Sequence, residues 1–335
     1  DPEARKRHLE TALAELHGMI GLESIKRDVQ ELVNFLKVQE QRARHGLPKT
    51  SVSLHMVFCG NPGTGKTTVA RIVGRIFGGL GILSRGHLVE TDRSGLVARY
   101  AGQTGPKTHK KIDEALDGVL FIDEAYSLVA ERGEDPFGGE ALQALLKRVE
   151  DDRQRLVVVL AGYPQPMDQL LAANPGLSSR FNRRLEFPDY SATELSRIFQ
   201  VMCEQNHYTL PALTRLKLLL GFQYLLDERD ESFGNGRLSR NVFEQSIRRL
   251  ANRIADIVPV TAELLTKIEP DDVYFPDVPQ RVFERLDDSA RRLTIACPGC
   301  DRGIRFRAAV LGRRVKCKQC QHAFQLDWGE LPSER

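Results

Sequence analysis

The sequence predicts an α/β protein: a parallel sheet with helices on both faces, then an all-helical region, then a small cysteine-bearing tail. Three observations carry this reading. Between residues 48 and 188, short apolar runs alternate with amphipathic stretches, the pattern of strands joined by helical crossovers. After Pro188 the strand signals stop and helical periodicity continues. Four of the six cysteines lie near the C-terminus as two Cys-x-x-Cys pairs, Cys297/Cys300 and Cys317/Cys320.

Taken in order, residues 1–47 read as helices. Leu9, Leu13 and Leu16 recur at helical spacing, as do Ile25, Val29, Leu32, Val33 and Leu36, with a break at 17–22. Gly46-Leu47-Pro48 ends the second helix. In the 48–188 region the strand candidates are Leu54–Cys59, His87–Thr91, Val119–Asp123, Leu156–Ala161 and Leu185–Phe187. The region 189–275 carries three helices, over 191–206, 211–229 and 237–257. Residues 276–293, with two prolines and many charges, read as a linker with a short helix. In 294–335, short strands are expected at Thr294–Ile295, Arg305–Phe306 and Ala323–Leu326.

The chain has 335 residues, 41% hydrophobic and 28% charged, a balance that excludes disorder, collagen-like repetition and a coiled-coil rod. No run approaches the ~18 apolar residues of a membrane span, so no membrane partner is expected. The opening Asp-Pro-Glu-Ala-Arg-Lys has neither Met nor an apolar signal region, as expected of an excised fragment. Net charge is +3, and residues 295–335 hold eight Lys/Arg against four Asp/Glu, so the basic excess sits in the tail. Cys59 and Cys203 lie in apolar segments without close partners. Paired Cys-x-x-Cys without a disulfide framework is metal-site arithmetic in a reducing compartment, and the location expected is cytoplasmic.

The segment Gly60-Asn61-Pro62-Gly63-Thr64-Gly65-Lys66-Thr67 follows an apolar strand and opens a helix, the setting a phosphate-binding loop requires. Its glycines let successive N–H groups face an anion, and the helix start adds its positive dipole end. Lys66 supplies a point charge to the β- and γ-phosphates, and the Thr67 hydroxyl is placed for Mg²⁺, with Thr68 beside it. Further on, Val119–Ala125 delivers Asp123 and Glu124 to a strand's C-terminal end. Asp123 suits the Mg²⁺ shell, and Glu124 suits orienting an attacking water. Together these predict a chain that binds a nucleoside triphosphate and hydrolyses it.

The stretch from Met19 to about Val273 resembles an AAA+ ATPase, with an α/β P-loop core and a helical lid. Phe58–Thr68, Val119–Ser127, Leu156–Tyr163, Asn174–Arg180, Phe187–Tyr190 and Gly234–Arg237 resemble the subgroup of CbbX (red-type Rubisco activase), stage V sporulation protein K and the ESX-secretion ATPases. The resemblance implies that Ile20, Gly21 and Leu22 pack around adenine. It implies that Arg180 is the arginine finger, with Arg183 and Arg184 as rivals, and that Arg237 is a sensor arginine, with Arg240 able to share its face. It also implies a pore loop at Tyr100-Ala101-Gly102, where an aromatic ring would grip polypeptide, and Glu131–Gly139 could line the same pore. A homo-oligomeric ring, a hexamer, acting on a protein substrate follows from the same resemblance. One departure stands out: the polar residue expected at the end of the fourth core strand is replaced by Ala161-Gly162-Tyr163-Pro164, so that either Tyr163 supplies the hydroxyl or the role is filled differently.

The resemblance does not reach the tail. Cys297-x-x-Cys300 followed by Cys317-x-x-Cys320 fits four thiolates around one Zn²⁺ in a ribbon, with His322 not needed. Metal must hold so small a unit. Arg305, Arg307, Arg313, Arg314, Lys316 and Lys318, with Phe306, Phe324 and Trp328, could bind nucleic acid. Alternatively the cations offset the site's own negative charge, and the ribbon serves recruitment or assembly. The leading expectation is an ATP-driven protein remodeller. The alternatives are a nucleic-acid-handling ATPase and a non-threading nucleotide switch or scaffold.

Overall fold

The computed structural model describes residues 2–48, 50, 52–100, 102–129, 136–284, 286 and 291–332. The chain divides into two compact units at Pro188. The first contains helices α1 (Pro2–Gly18) and α2 (Glu23–Arg44), then β1 (Met56–Gly60), α3 (Lys66–Gly79), β2 (Leu88–Thr91), α4 (Arg93–Leu96), α5 (Thr104–Ala115) and β3 (Gly118–Ile122). It continues with α6 (Pro136–Asp151), β4 (Leu156–Gly162), α7 (Pro164–Ala173), α8 (Pro175–Arg180) and β5 (Arg183–Phe187).

The five strands form one sheet in the order β2-β3-β4-β1-β5, and every pairing is parallel. β1, β3 and β4 are buried along their whole length, which explains why they read as unbroken apolar runs. One face packs Val57, Cys59, Leu120, Ile122, Val158 and Leu160 against Ile112, Leu142 and Leu145 of α5 and α6. On the other face α3 comes close enough that a Cβ at Gly74 would lie 3.1 Å from Val119 Cγ2. At the opposite end of the sheet from the loops, buried His55 uses Nδ1 to accept from the Val158 N–H at 3.0 Å.

The second unit opens with α9 (Ala192–Gln205), whose N-terminus is closed by a reciprocal Ser191–Glu194 capping box. α10 (Ala212–Asp227), α11 (Gly236–Ile254) and α12 (Ala262–Thr266) follow. Two antiparallel hairpins then pair β6 (Arg292–Ala296) with β7 (Gly303–Arg307) and β8 (Arg314–Lys316) with β9 (Ala323–Gln325). The first part of the expected linker is packed: Val278 and Phe283 are buried, and Phe283 stacks on Phe275 at 6.1 Å. Among the described residues, no helix is long and apolar enough to cross a membrane.

Candidate nucleotide and metal sites

Strand order sets the geometry of the first site. β1 lies between β4 and β5, and β3 lies on the far side of β4. In register, Cys59 stands opposite Gly162, and Ile122 opposite Leu160. The glycine-rich loop after β1 and the acidic turn after β3 therefore leave the same C-terminal edge, separated by β4 alone. Such an edge is where open α/β sheets bind ligands.

The loop departs under tight constraint. At Gly60 a Cβ would sit 2.3 Å from the Phe187 carbonyl oxygen, so only glycine lets the backbone pass. Gly65 enters α3 in the left-handed region, φ +95°, and α3 has no side-chain N-cap, the kind of helix start that receives anions. Buried Thr64 donates its hydroxyl to Asn61 O at 2.8 Å. Lys66 Nζ donates to Gly60 O at 2.7 Å and Asn61 O at 2.8 Å, which holds the ammonium over the loop. Pro62 and Gly63 complete the turn, Thr67 is half-buried, and Thr68 is exposed.

Across β4, the Asp123 N–H donates to Thr91 O at 2.8 Å. The Asp123 carboxylate accepts the Glu124 N–H at 3.0 Å. Glu124 is exposed and occupies the left-handed region, φ 47° and ψ 44°, a conformation costing a side-chain-bearing residue about 1 kcal/mol. Tyr126 follows, its ring against Gly162, where a Cβ would lie 2.8 Å from Cδ1. Tyr163 lies 6.1 Å from that ring. Burial, then the nearby Glu124 charge, pushes the Tyr126 phenol up to about 12, so it stays neutral. Two tyrosines thus flank the end of β4. Tyr163 was legible as a substitute sensor; Tyr126 was missed, and its only signal was the glycine required beside it.

The remaining predicted residues are placed as follows. Gly21 and Leu22 both adopt left-handed φ, 62° and 60°, in the corner after Ile20 that feeds α2. Arg180 ends α8; its Nε lies 3.3 Å from Glu150 Oε2, and its carbonyl accepts from Ser53 Oγ at 2.5 Å. Arg184 is held by both Asp168 and Glu186, while Arg180 is ion-paired, among the described residues, with Glu150 alone. Arg183 begins β5. Tyr100 is 70% exposed and Gly102 takes φ +75°, while Ala101 lies outside the described residues, as do 131–135 of the expected second pore segment.

In the second unit, Arg237 and Arg240 are exposed on the first turn of α11. Buried Asn235 orients that turn: its amide donates to Asp189 Oδ1 at 2.8 Å and its oxygen accepts the Tyr190 N–H at 2.8 Å. The Phe187–Tyr190 and Gly234–Arg237 motifs are thereby tied together through Asp189 and Tyr190.

The four tail cysteines converge, with all sulfurs within 4.8 Å of one another. Cys297 Sγ lies 3.6 Å from Cys320 Sγ, and Cys300 Sγ 3.8 Å from Cys317 Sγ. Tetrahedral Zn–S bonds of about 2.3 Å place sulfurs about 3.8 Å apart, so the donor set fits zinc. Backbone N–H groups of Cys320 and Gln319 bring the Cys317 thiol down to about 6, while burial pushes Cys297 up and Cys320 is also raised beside its neighbouring thiols.

This ribbon is seated on the lid helices. Trp328, 1% exposed, donates its indole N–H to Gln200 of α9. Arg215 of α10 stacks over the indole at 5.1 Å and donates to Gln200 Oε1 and to the Asp327 carbonyl, each at 3.1 Å. Phe306 is buried as well. This corrects the expectation that Trp328 and Phe306 could stack on bases, because both rings serve the interior. Arg292, Arg305 and Arg307 share the outer face of the first hairpin, Arg292 directly opposite Arg307.

A glycine-rich loop and an acidic turn on one edge of a parallel sheet, with a helical lid, define a P-loop ATPase. Residues 56–189 match the ATPase family associated with various cellular activities (AAA), and residues 191–282 match the AAA lid domain. The chain is 43% identical over 256 residues to stage V sporulation protein K of Bacillus subtilis, covering 75% of this chain and 78% of that protein. It is 39% identical over 258 residues to a CfxQ homolog of Trieres chinensis, covering 76% and 88%. It therefore belongs to the AAA ATPase family, which binds nucleotide with Mg²⁺ and hydrolyses ATP. ESX-1 secretion system protein EccA1 of Mycolicibacterium smegmatis is 42% identical over 285 residues, and the chain spans half of that protein. Among solved structures, the FIGL-1 AAA domain in complex with ADP shares the fold at TM-score 0.50 and 21% identity, covering 81% of this chain and 82% of that one. A Thermotoga maritima RuvB mutant does so at TM-score 0.51 and 19% identity, covering 77% and 69%. Both family segments end before the ribbon.

Proposed function

We propose that the chain is an ATP-driven protein remodeller that works as a homo-oligomeric ring, a hexamer, with the zinc ribbon as a recruitment or assembly module. The observation that carries this reading is Tyr100: a large amphipathic ring, 70% exposed, on a loop whose base is held by α5. An exposed tyrosine offers grip without sequence preference.

In this reading Gly60–Thr68 wraps the triphosphate, with Lys66 on the β- and γ-phosphates, and Ile20, Gly21 and Leu22 against adenine. Thr67 and Asp123 hold Mg²⁺, and Glu124 polarises the attacking water. Arg180 reaches the γ-phosphate of a neighbouring subunit, and Arg237 touches nucleotide from the lid. Cys297, Cys300, Cys317 and Cys320 hold Zn²⁺, which supplies folding energy rather than chemistry. The nucleic-acid reading of the ribbon keeps only Phe324 of its three stacking groups, since Trp328 and Phe306 face inward. The reducing cytoplasm suits four free thiols at a metal site.

The test is ATPase activity against protein concentration, with particle mass followed by light scattering. Specific activity should rise as rings form, and Arg180→Ala should abolish turnover while preserving ATP binding. Tyr100→Ala should impair remodelling and spare basal hydrolysis. A monomer with full, concentration-independent turnover would overturn the shared-site reading.

A further inference from the structure

The chain leaves β2 at Thr91, makes the single turn of α4, runs through the loop bearing Tyr100, and re-enters helix at α5. Asp92 caps α4, its carboxylate accepting from the Gly95 N–H at 3.0 Å and from Ser94 Oγ at 2.6 Å. α5 then holds the loop's base. Lys107 Nζ donates to Ser94 O at 2.6 Å and Val97 O at 2.9 Å, and Thr108 Oγ1 donates to Leu96 O at 3.1 Å. Thr104 Oγ1 accepts the Ala98 N–H at 3.1 Å. The base of the loop, residues 94–98, is therefore tied to α5.

α4 is tied to the acidic turn as well. The Asp123 N–H donates to Thr91 O at 2.8 Å, immediately before α4. The Arg93 guanidinium donates to Ser127 O at 2.7 Å, and the Ser127 N–H donates to Glu124 O at 2.8 Å. A continuous path thus runs from the Glu124 backbone through Ser127 and Arg93 into α4. Gly138, at the start of α6, closes the other side. A Cβ there would lie 2.1 Å from Leu128 O and 2.9 Å from Arg93 Nη1, so α6 presses guanidinium and turn together without slack.

We propose that Arg93 is a positioning residue that couples the Asp123–Glu124 turn to the Tyr100 loop. Nucleotide hydrolysis changes the charge facing the two carboxylates, the turn 125–128 shifts with Glu124, and Arg93 carries the shift into α4. A planar guanidinium with a fixed fork transmits direction where a flexible ammonium would not. The proposal deepens the reading of Tyr100 as the gripping residue, and rests on it only for what the motion accomplishes.

The experiment is hydrogen exchange read by mass spectrometry on the full chain, with ADP or with a slowly hydrolysed ATP analogue. In the wild-type chain, amides of 95–103 should exchange at rates differing at least about fivefold between the two states. Arg93→Met should reduce that ratio below about twofold while ADP affinity is unchanged, and Arg93→Lys should restore part of it. Arg93→Gln replaces the methionine variant if that one fails to bind ADP. A wild-type ratio retained without the guanidinium, or no nucleotide dependence in the wild-type loop, overturns the proposal. If Tyr100→Ala remodels substrate normally, only the gripping role falls, because the exchange ratio is read without substrate.

Discussion

Trp328 is the chain's only tryptophan, so its seat on the lid can be watched directly. The indole is 1% exposed, and Arg215, 7% exposed, stacks over it. Burying a tryptophan removes about 200 Å² from water, worth about 5 kcal/mol at ~25 cal/mol per Å². Truncation should recover most of that loss and leave Arg215, whose pKa is already lowered by burial, without its aromatic partner. Trp328→Ala should therefore cost about 3–5 kcal/mol and lower the melting temperature of the lid and ribbon by about 10 °C or more. In the intact chain, emission should be that of a buried indole, and stripping the metal with a chelator should shift it to the red as the ribbon loses its fold. Native emission typical of a solvated indole, or verified metal loss with unchanged emission, would refute the seat and its dependence on the four cysteines.

Two further outcomes follow from the core. Burial pushes His55 down to about 4, whereas an unfolded histidine protonates near 6.5. The folded state should thus keep this contribution above pH 6.5 and lose roughly 3 kcal/mol as pH falls from 6.5 to 4. Urea titrations of wild type and His55→Gln across that range should diverge, and parallel curves would sink the assignment. Gly162→Ala would place a Cβ 2.8 Å from the Tyr126 ring and 2.9 Å from Met167 Sδ, costing about 1–3 kcal/mol. Because Tyr126 follows Glu124 closely, ATP turnover should fall more than nucleotide affinity; steady-state kinetics beside equilibrium nucleotide binding checks this, and equal losses in both would refute it.

What could be read from the sequence follows from what local chemistry fixes. β1, β3 and β4 announced themselves because strands buried on both faces leave no room for polar alternation. The glycine loop was legible because its spacing and its place between strand and helix are both local. The left-handed Glu124 was not, since no side chain advertises a conformation imposed by its surroundings. Nor could the sequence show the ion pairs of Arg180 and Arg184, because Glu150 and Asp168, which engage them, come from separate helices. Trp328 looked like a ligand-stacking group for the same reason: the residues that bury it, Gln200 and Arg215, lie more than a hundred positions upstream. The stretch expected to link lid and ribbon hid its packing likewise, with Phe283 finding Phe275 across two prolines.

The placement of β1 also orders events during synthesis. Its two neighbours, β4 and β5, are made about a hundred residues later, and Gly60 is locked only when Phe187 arrives against it. At ribosomal speeds of about 5–20 residues per second, the loop's strand waits on the order of ten seconds for both partners. Throughout that interval the nascent chain carries every glycine and the lysine of its triphosphate loop without a sheet to shape them. The packed form of Gly60 therefore waits for the last core strand, long after the loop itself has been made.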